Sequence, residues 1–410
     1  MVLSFIKNTV LIFVFTVVSC GSGTKDPSIK NIEILNQGQD DKAVLVGANQ
    51  TEKYVSLLNG KKVGIVANQT SVIFNRDSHT HLVDSLVALH VNITKVFSPE
   101  HGFRGKADAG ELVVDGRDTE TGLPIISLYG KNKKPSEEQL QNIDIMIFDI
   151  QDVGVRFYTY ISTLHHVMEA CAENDIPLLI LDRPNPNGHY IDGPTMEEAH
   201  RSFLGMHPIP LVHGMTIGEY AQMVNGQKWL ANGIQCKISV IPVKNYTHET
   251  VYSLAIRPSP NLPNDQSIAL YPSLGLFEGT NVNAGRGTEF QFQRYGAPFL
   301  DDTVFDFSYT PESNFGAKYP KHKGELCHGE DLAEFKAESK VSLRWLIKAY
   351  TNSTDQENFF KMASFTKHSG TELLQKQIQN GLSEDDIKAT WQADLETYKS
   401  MRKQYLIYPL

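Results

Sequence analysis

Cysteine is scarce, with four in 410 residues. Cys20, Cys171, Cys236 and Cys327 show none of the close spacings of a metal site or a redox motif. One disulfide stays open, Cys236 with Cys327, in an oxidising compartment, and Cys171 falls in an apolar helical pattern that suits a core. No apolar run reaches the roughly 20 residues that cross a bilayer core. No Gly-x-Gly-x-x-Gly follows the first strand-like segment, which argues against a dinucleotide cofactor. His79, His81, His165, His166, His207 and His213 form no His-Glu-x-x-His or comparable ligand set, so no metal is expected. A serine nucleophile lacks its Gly-x-Ser-x-Gly elbow. A formal net charge of −9, without a basic run interleaved with aromatics, argues against nucleic acid.

What is present begins with an address. Lys7, the apolar stretch 10–18 and the small residues Ser19-Cys20-Gly21-Ser22 read as a cleaved export signal, residues 1–20, too short to span a membrane. Val17-Val18-Ser19-Cys20 looks like a bacterial lipobox. Acylation of Cys20 would make an exported lipoprotein anchored in a membrane, periplasmic or at the cell surface, because several acyl chains hold stably at about 0.8 kcal/mol per buried methylene. The polar segment 21–51 reads as a flexible tether.

About 360 residues follow, more than one core usually spans, so two domains are expected. Hydrophobic residues make up 41% and charged residues 21%, as in a globular enzyme. Apolar segments at 63–67, 93–97, 125–128, 145–149, 178–181 and 238–242 alternate with helical patterns at 81–90, 137–142, 158–174 and 216–224. Continuous apolar strands alternating with helices predict a parallel sheet covered on both faces. The prolines of Arg257-Pro258-Ser259-Pro260-Asn261-Leu262-Pro263 forbid helix and mark a boundary. Beyond it, strand-like glycine-rich pieces precede helices, a smaller α+β region. Its last helix should start at Ser383, with Ile387, Trp391, Leu395 and Tyr398 on one face.

Chemistry gathers where strands stop. Ser98-Pro99-Glu100-His101-Gly102-Phe103-Arg104 delivers an acid, an imidazole and a guanidinium into a loop, and Asn68, Asp152 and Asp182 stand at comparable strand ends, where open α/β sheets place working residues. The run Asp149-Ile150-Gln151-Asp152, followed by Arg156-Phe157-Tyr158-Thr159-Tyr160, suits carbohydrate. Rings such as Tyr158 stack on sugar faces while carboxylates and guanidinium groups bind hydroxyls and anionic substituents. Asp182-Arg183-Pro184-Asn185-Pro186 is a second polar loop, stiffened by proline. Asp149, still part of its strand, fits an Asp–Arg pair that holds the loop together better than Asp152 does, and Asp182 could equally bind a sugar or cap its own loop. Glu278 and Arg286 come from the second region, which suggests a cleft between two domains. Glycoside hydrolysis commonly needs two carboxyl groups. Glu100, Asp152 and Glu278 are the candidates, with His101 as an alternative proton donor.

Together with Phe277-Glu278-Gly279-Thr280-Asn281 and Gly285-Arg286-Gly287-Thr288, these motifs resemble, in order, those of the NamZ-type exo-β-N-acetylmuramidases. The likeness runs from about Leu57 to Tyr405-Leu406-Ile407-Tyr408. It implies a Rossmann-like N-terminal catalytic domain (52–262) beside a smaller C-terminal domain (263–410) that closes the cleft. It also implies release of β-1,4-linked N-acetylmuramic acid from the non-reducing ends of peptidoglycan fragments, in cell-wall turnover or recycling, with Glu100 as the leading catalytic residue and no cofactor. The lactyl carboxylate of muramic acid asks for a cation, for which Arg156 and Arg286 are the motif-borne choices and Arg104 a third. A lipoprotein that binds muropeptides without cleaving them is the alternative.

Overall fold

Twelve strands organise the computed structural model, which describes residues 42–105, 111 and 115–410. They are β1 (Val63–Ala67), β2 (Val72–Phe74), β3 (His79–His81), β4 (Ile93–Ser98), β5 (Gly116–Arg117), β6 (Pro124–Ser127), β7 (Ile145–Asp149), β8 (Leu178–Leu181), β9 (Ile238–Ile241), β10 (Arg294–Ala297), β11 (Phe307–Tyr309) and β12 (Cys327–Asp331). Seven form the main sheet in the order β5-β6-β4-β1-β7-β8-β9. Only β5 pairs antiparallel, with β6. Counting the six parallel strands along the chain, the order is 3-2-1-4-5-6, the Rossmann arrangement, whose ligand crevice lies where the order reverses. Here that point lies between β1 and β7.

The strands form because both faces are buried. Alternate residues of β1 and β7 enter opposite cores: Val66, Met146 and Phe148 lie on one face, and Val63, Ile65, Ile145 and Ile147 on the other, the period-2 geometry of a strand. The first core continues without a break through Leu276, Phe277, Phe292 and Tyr295 to the C-terminal helices. The expected helices appear at Leu82–Ala88, Glu137–Leu140, Tyr160–Glu173 and Ile217–Gly226. A small antiparallel sheet, β10-β12-β11, carries the second region.

Three expectations are revised. Val46 and Ala48 are buried and Gly47 N–H donates to the Asp182 carbonyl at 2.8 Å, so the chain joins the core before the expected tether ends at residue 51. Isolated apolar residues concealed that packing. Cys171, Cys236 and Cys327 are free and buried. Cys236 is hydrogen-bonded to Cys171 while Cys327 sits in β12 of the small sheet, so Cys236 and Cys327 are not paired. The last helix starts under the Ser383 cap as expected but ends at Ala389, and a second runs over Gln392–Arg402. Ile387, Trp391, Leu395 and Tyr398 are nonetheless all buried. Cys20, the export signal and residues 21–41 lie outside the described residues.

Candidate active site

Beyond the carboxyl end of β4 the backbone turns sharply. His101 is held at φ 71° and Gly102 at φ 81°, and Gly102 N–H donates to the Pro99 carbonyl at 3.1 Å. A positive φ at a non-glycine residue costs of order 1–3 kcal/mol and persists where surrounding structure enforces it. The turn presents Glu100 and His101 to a cavity of about 260 Å³ that also touches Phe157, Tyr158, Tyr160, Tyr271, Glu278 and Arg286. The Thr159 hydroxyl donates to Glu100 Oε2 at 2.8 Å, and the Tyr129 hydroxyl bonds the same carboxylate. Thr159 immediately precedes the helix Tyr160–Glu173, so the segment after β7 braces the acid delivered after β4.

The opposite wall comes from the turn Gly275–Gly279 and the loop behind it. Arg286 approaches Glu278 at 2.5 Å and lies 5.5 Å from the Phe292 ring centroid. Its Nε is buried without a hydrogen-bond partner among the described residues. Tyr271 lines the cavity with the two acids: burial pushes its hydroxyl well above the ordinary tyrosine value, and Glu278 and Glu100 both add to the rise. Rings, two carboxylates and one guanidinium in a small cavity are the parts of a sugar site.

Seven other candidates do not line this cavity. Asp152 is buried; its Oδ2 accepts from Gly154 N–H at 2.7 Å and lies 3.6 Å from His213 Nε2, and it does not line the cavity. Arg156 is fully buried and donates to the carbonyls of Pro194, Ile209, His368 and Ser369 at 2.7, 2.9, 3.0 and 2.6 Å. Arg183 grips Asp149 at 2.6 and 2.9 Å. Asp182 accepts from Thr216 and Tyr408 hydroxyls at 2.7 and 2.5 Å and from Gly218 N–H at 2.9 Å. Asn185 donates to the Met215 carbonyl at 2.9 Å, and Asn68 closes a turn by accepting from Thr70 N–H at 2.9 Å. Arg104 clamps Asp84 and Asp118 at 2.9 and 2.8 Å. Against the cost of burial, that clamp and Thr121 hold the Asp118 carboxyl down at about 2. Of the eight residues expected to bind substrate, the cavity brings together Tyr158 and Arg286.

Other lining residues carried no signal. Ser259, Asn261 and Leu262 belong to the proline-rich segment that read only as a boundary. His368 lines the cavity, with Nδ1 on the Ser364 carbonyl at 2.8 Å. That acceptor fixes the Nδ1–H tautomer, and burial holds the ring below its ordinary pKa. Next to this cavity, and sharing Glu278 and Arg286 with it, lies a second of about 600 Å³. Lys321 lines it, with Nζ donating to the carbonyls of Phe277, Thr280, Val282 and Glu278 at 2.9, 2.6, 3.2 and 3.3 Å.

Family models described as exo-β-N-acetylmuramidase NamZ, N-terminal and C-terminal, match residues 63–266 and 269–408. The peptidoglycan β-N-acetylmuramidase NamZ of Bacillus subtilis (strain 168) is 39% identical over 378 residues, covering 87% of this chain and 89% of that protein. A crystal structure of a DUF1343 family protein from Bacteroides fragilis NCTC 9343 superposes with a TM-score of 0.82 at 46% identity, covering 90% of this chain and 99% of that one. A second from the same organism gives 0.75 at 28% identity, covering 90% and 100%.

Proposed function

The chain belongs to the exo-β-N-acetylmuramidase NamZ family, and we infer that it is a glycosidase releasing N-acetylmuramic acid from the non-reducing ends of peptidoglycan fragments. The observation that carries the reading is that Glu100 and Glu278 line one aromatic cavity. Two carboxyl groups flanking a glycosidic bond are what most glycosidases require. Glu100, delivered beyond the carboxyl end of β4 and braced by two hydroxyls, supplies the proton that the departing oxygen takes as the bond to the anomeric carbon breaks. Glu278 is the second carboxyl. Arg286, with an unpartnered donor at Nε, receives the lactyl carboxylate that distinguishes muramic acid from glucosamine.

Aryl β-glycosides of N-acetylmuramic acid and N-acetylglucosamine test this reading. The protein should release the phenol from the first far faster than from the second. In Arg286→Lys, kcat/KM for the muramic substrate should fall at least tenfold more than for the glucosamine substrate, because a fork-shaped charged contact is worth about 1.5–3 kcal/mol and lysine cannot reproduce it. Binding of muropeptides without phenol release would replace the enzyme with a binding protein. Equal losses on both substrates would remove Arg286 from lactyl recognition.

We propose further that Cys20 is acylated and anchors the exported protein in a membrane. The support is the Val17-Val18-Ser19-Cys20 sequence behind a short apolar stretch. Cys20→Ala should abolish labelling by a fatty-acid analogue and move the protein out of the membrane fraction. Labelling that survives the substitution would end the lipoprotein reading.

A further inference from the structure

The larger cavity and the smaller share one ion pair. Glu278 and Arg286 line both, so a glycosidic bond held at Glu278 has a chamber on either side of it to receive its two halves. The far side is built by the segment around Tyr319, which stands 91% exposed against the larger cavity. An aromatic ring so exposed on a loose loop would lose freedom on binding, but this loop is held from three directions. Glu312 N–H donates to the Gly287 carbonyl at 2.8 Å, and the Asn314 side chain to the Thr288 carbonyl at 2.9 Å. Asn261, which lines the smaller chamber, donates to the Gly316 carbonyl at 2.7 Å, and Asn283 to the Lys321 carbonyl at 2.9 Å. Gly316 is at φ +91°, and a Cβ there would lie 2.7 Å from Pro260 Cβ, so the loop's approach to the first chamber is set by glycine. The backbone that carries the ring is therefore held in advance, which lowers the ordering cost of a contact.

We propose that the larger chamber receives the leaving saccharide, a neutral acetamido-pyranoside at the end of a glycan fragment, and that Tyr319 is its stacking platform. The proposal rests on the glycosidase reading above. Dimensions favour this assignment of the two chambers. About 260 Å³ falls just under the usual range of small-molecule sites, roughly 300–1,000 Å³, and suits one terminal sugar. About 600 Å³ has room for a ring and its continuing chain. The larger chamber also carries Lys318 and Lys321 on its lining. Lys321 is committed to four carbonyls and Lys318 to Glu111 at 2.8 Å, so the lactyl carboxylate finds its better donor at Arg286.

The test compares two substrates with the same muramyl unit. One is the β-1,4-linked muramyl–glucosamine disaccharide, and the other is β-N-acetylmuramyl fluoride, whose leaving group is too small to fill a second chamber. Tyr319→Ala should lower the ratio of kcat/KM for the disaccharide to that for the fluoride by roughly threefold to tenfold, the size of one aromatic contact. Tyr319→Trp should restore that ratio. Because the side chain is exposed, neither variant threatens the fold. An unchanged ratio in Tyr319→Ala, with the fluoride still hydrolysed, overturns the proposal and leaves the glycosidase reading standing. Wild-type protein that hydrolyses neither substrate overturns both.

Discussion

Glu100 combines a half-buried acid with a backbone that cannot easily move. His101 beside it is held at φ 71°, and the Thr159 hydroxyl fixes Oε2 at 2.8 Å. Glu100→Gln keeps the side chain's shape and removes its titratable proton. Turnover should fall on the order of a hundredfold or more, the usual contribution of general acid–base assistance, while the thermal midpoint hardly moves. Near-normal turnover on a substrate with a poor leaving group would pass the proton to His101 or Glu278. At this scale the sequence separates helpers from actors poorly. Asp152, Asp182, Arg156 and Arg183 all follow strands and all look like ligands, yet each is buried and paired within the protein. A charged residue at a strand end can turn outward to substrate or inward to orphaned backbone groups, and both choices satisfy the same local pattern. Glu100 and Arg286, carried on glycine-rich turns, line the cavity instead.

The turn Gly275–Gly279 positions Glu278, and its carbonyls converge on Lys321 rather than on solvent. Burial pushes the Lys321 ammonium down to about 7, with Glu278 opposing and Lys361 and Arg286 adding to the fall. Below that value the charged group holds the turn; above it the clamp loosens. Because the folded value lies below the unfolded one of about 10.4, this group contributes stability that rises with pH between the two, as the folded state binds fewer protons. Activity should therefore decline above about pH 7 while this contribution to stability grows. Lys321→Arg, which stays charged throughout, should shift the alkaline limb of kcat upward. A limb unmoved by that substitution would assign it to a group touching substrate. Nothing in Pro320-Lys321-His322-Lys323 distinguishes Lys321 from surface charge, because its carbonyl partners come from about 40 residues earlier. The strands of the main sheet were easier: burial on both faces demands unbroken apolar runs. The hairpin β2-β3, with His79 and Thr80 exposed, has no such run and escaped notice.

Across the whole molecule, the chain's last residues return to the sheet that its first strands began. Tyr408 donates to Asp182 at 2.5 Å and accepts from Val243 N–H at 2.9 Å, while Glu219 accepts from Ile407 N–H at 2.9 Å. Asp182 follows β8 and also receives Thr216 and Gly218, so one buried carboxylate joins the sheet, the start of the helix Ile217–Gly226 and the C-terminus. Burial raises its pKa to about 6, against the pull of these donors. This node lies outside the lining of the cavity that Glu100 and Glu278 share. Tyr408→Phe removes one donor from the carboxylate and one acceptor from Val243 while keeping the ring against Tyr246, 5.0 Å away. A lost hydrogen bond to a buried charged group costs about 1.5–3 kcal/mol. The urea midpoint should fall accordingly, with an unchanged slope because the surface exposed on unfolding is the same. KM for the muramyl disaccharide should stay within about twofold, since the cavity lining is untouched. A midpoint equal to wild type would show that the C-terminal segment is held by its aromatic packing alone, and a large rise in KM would place the Asp182 node in direct control of the cleft.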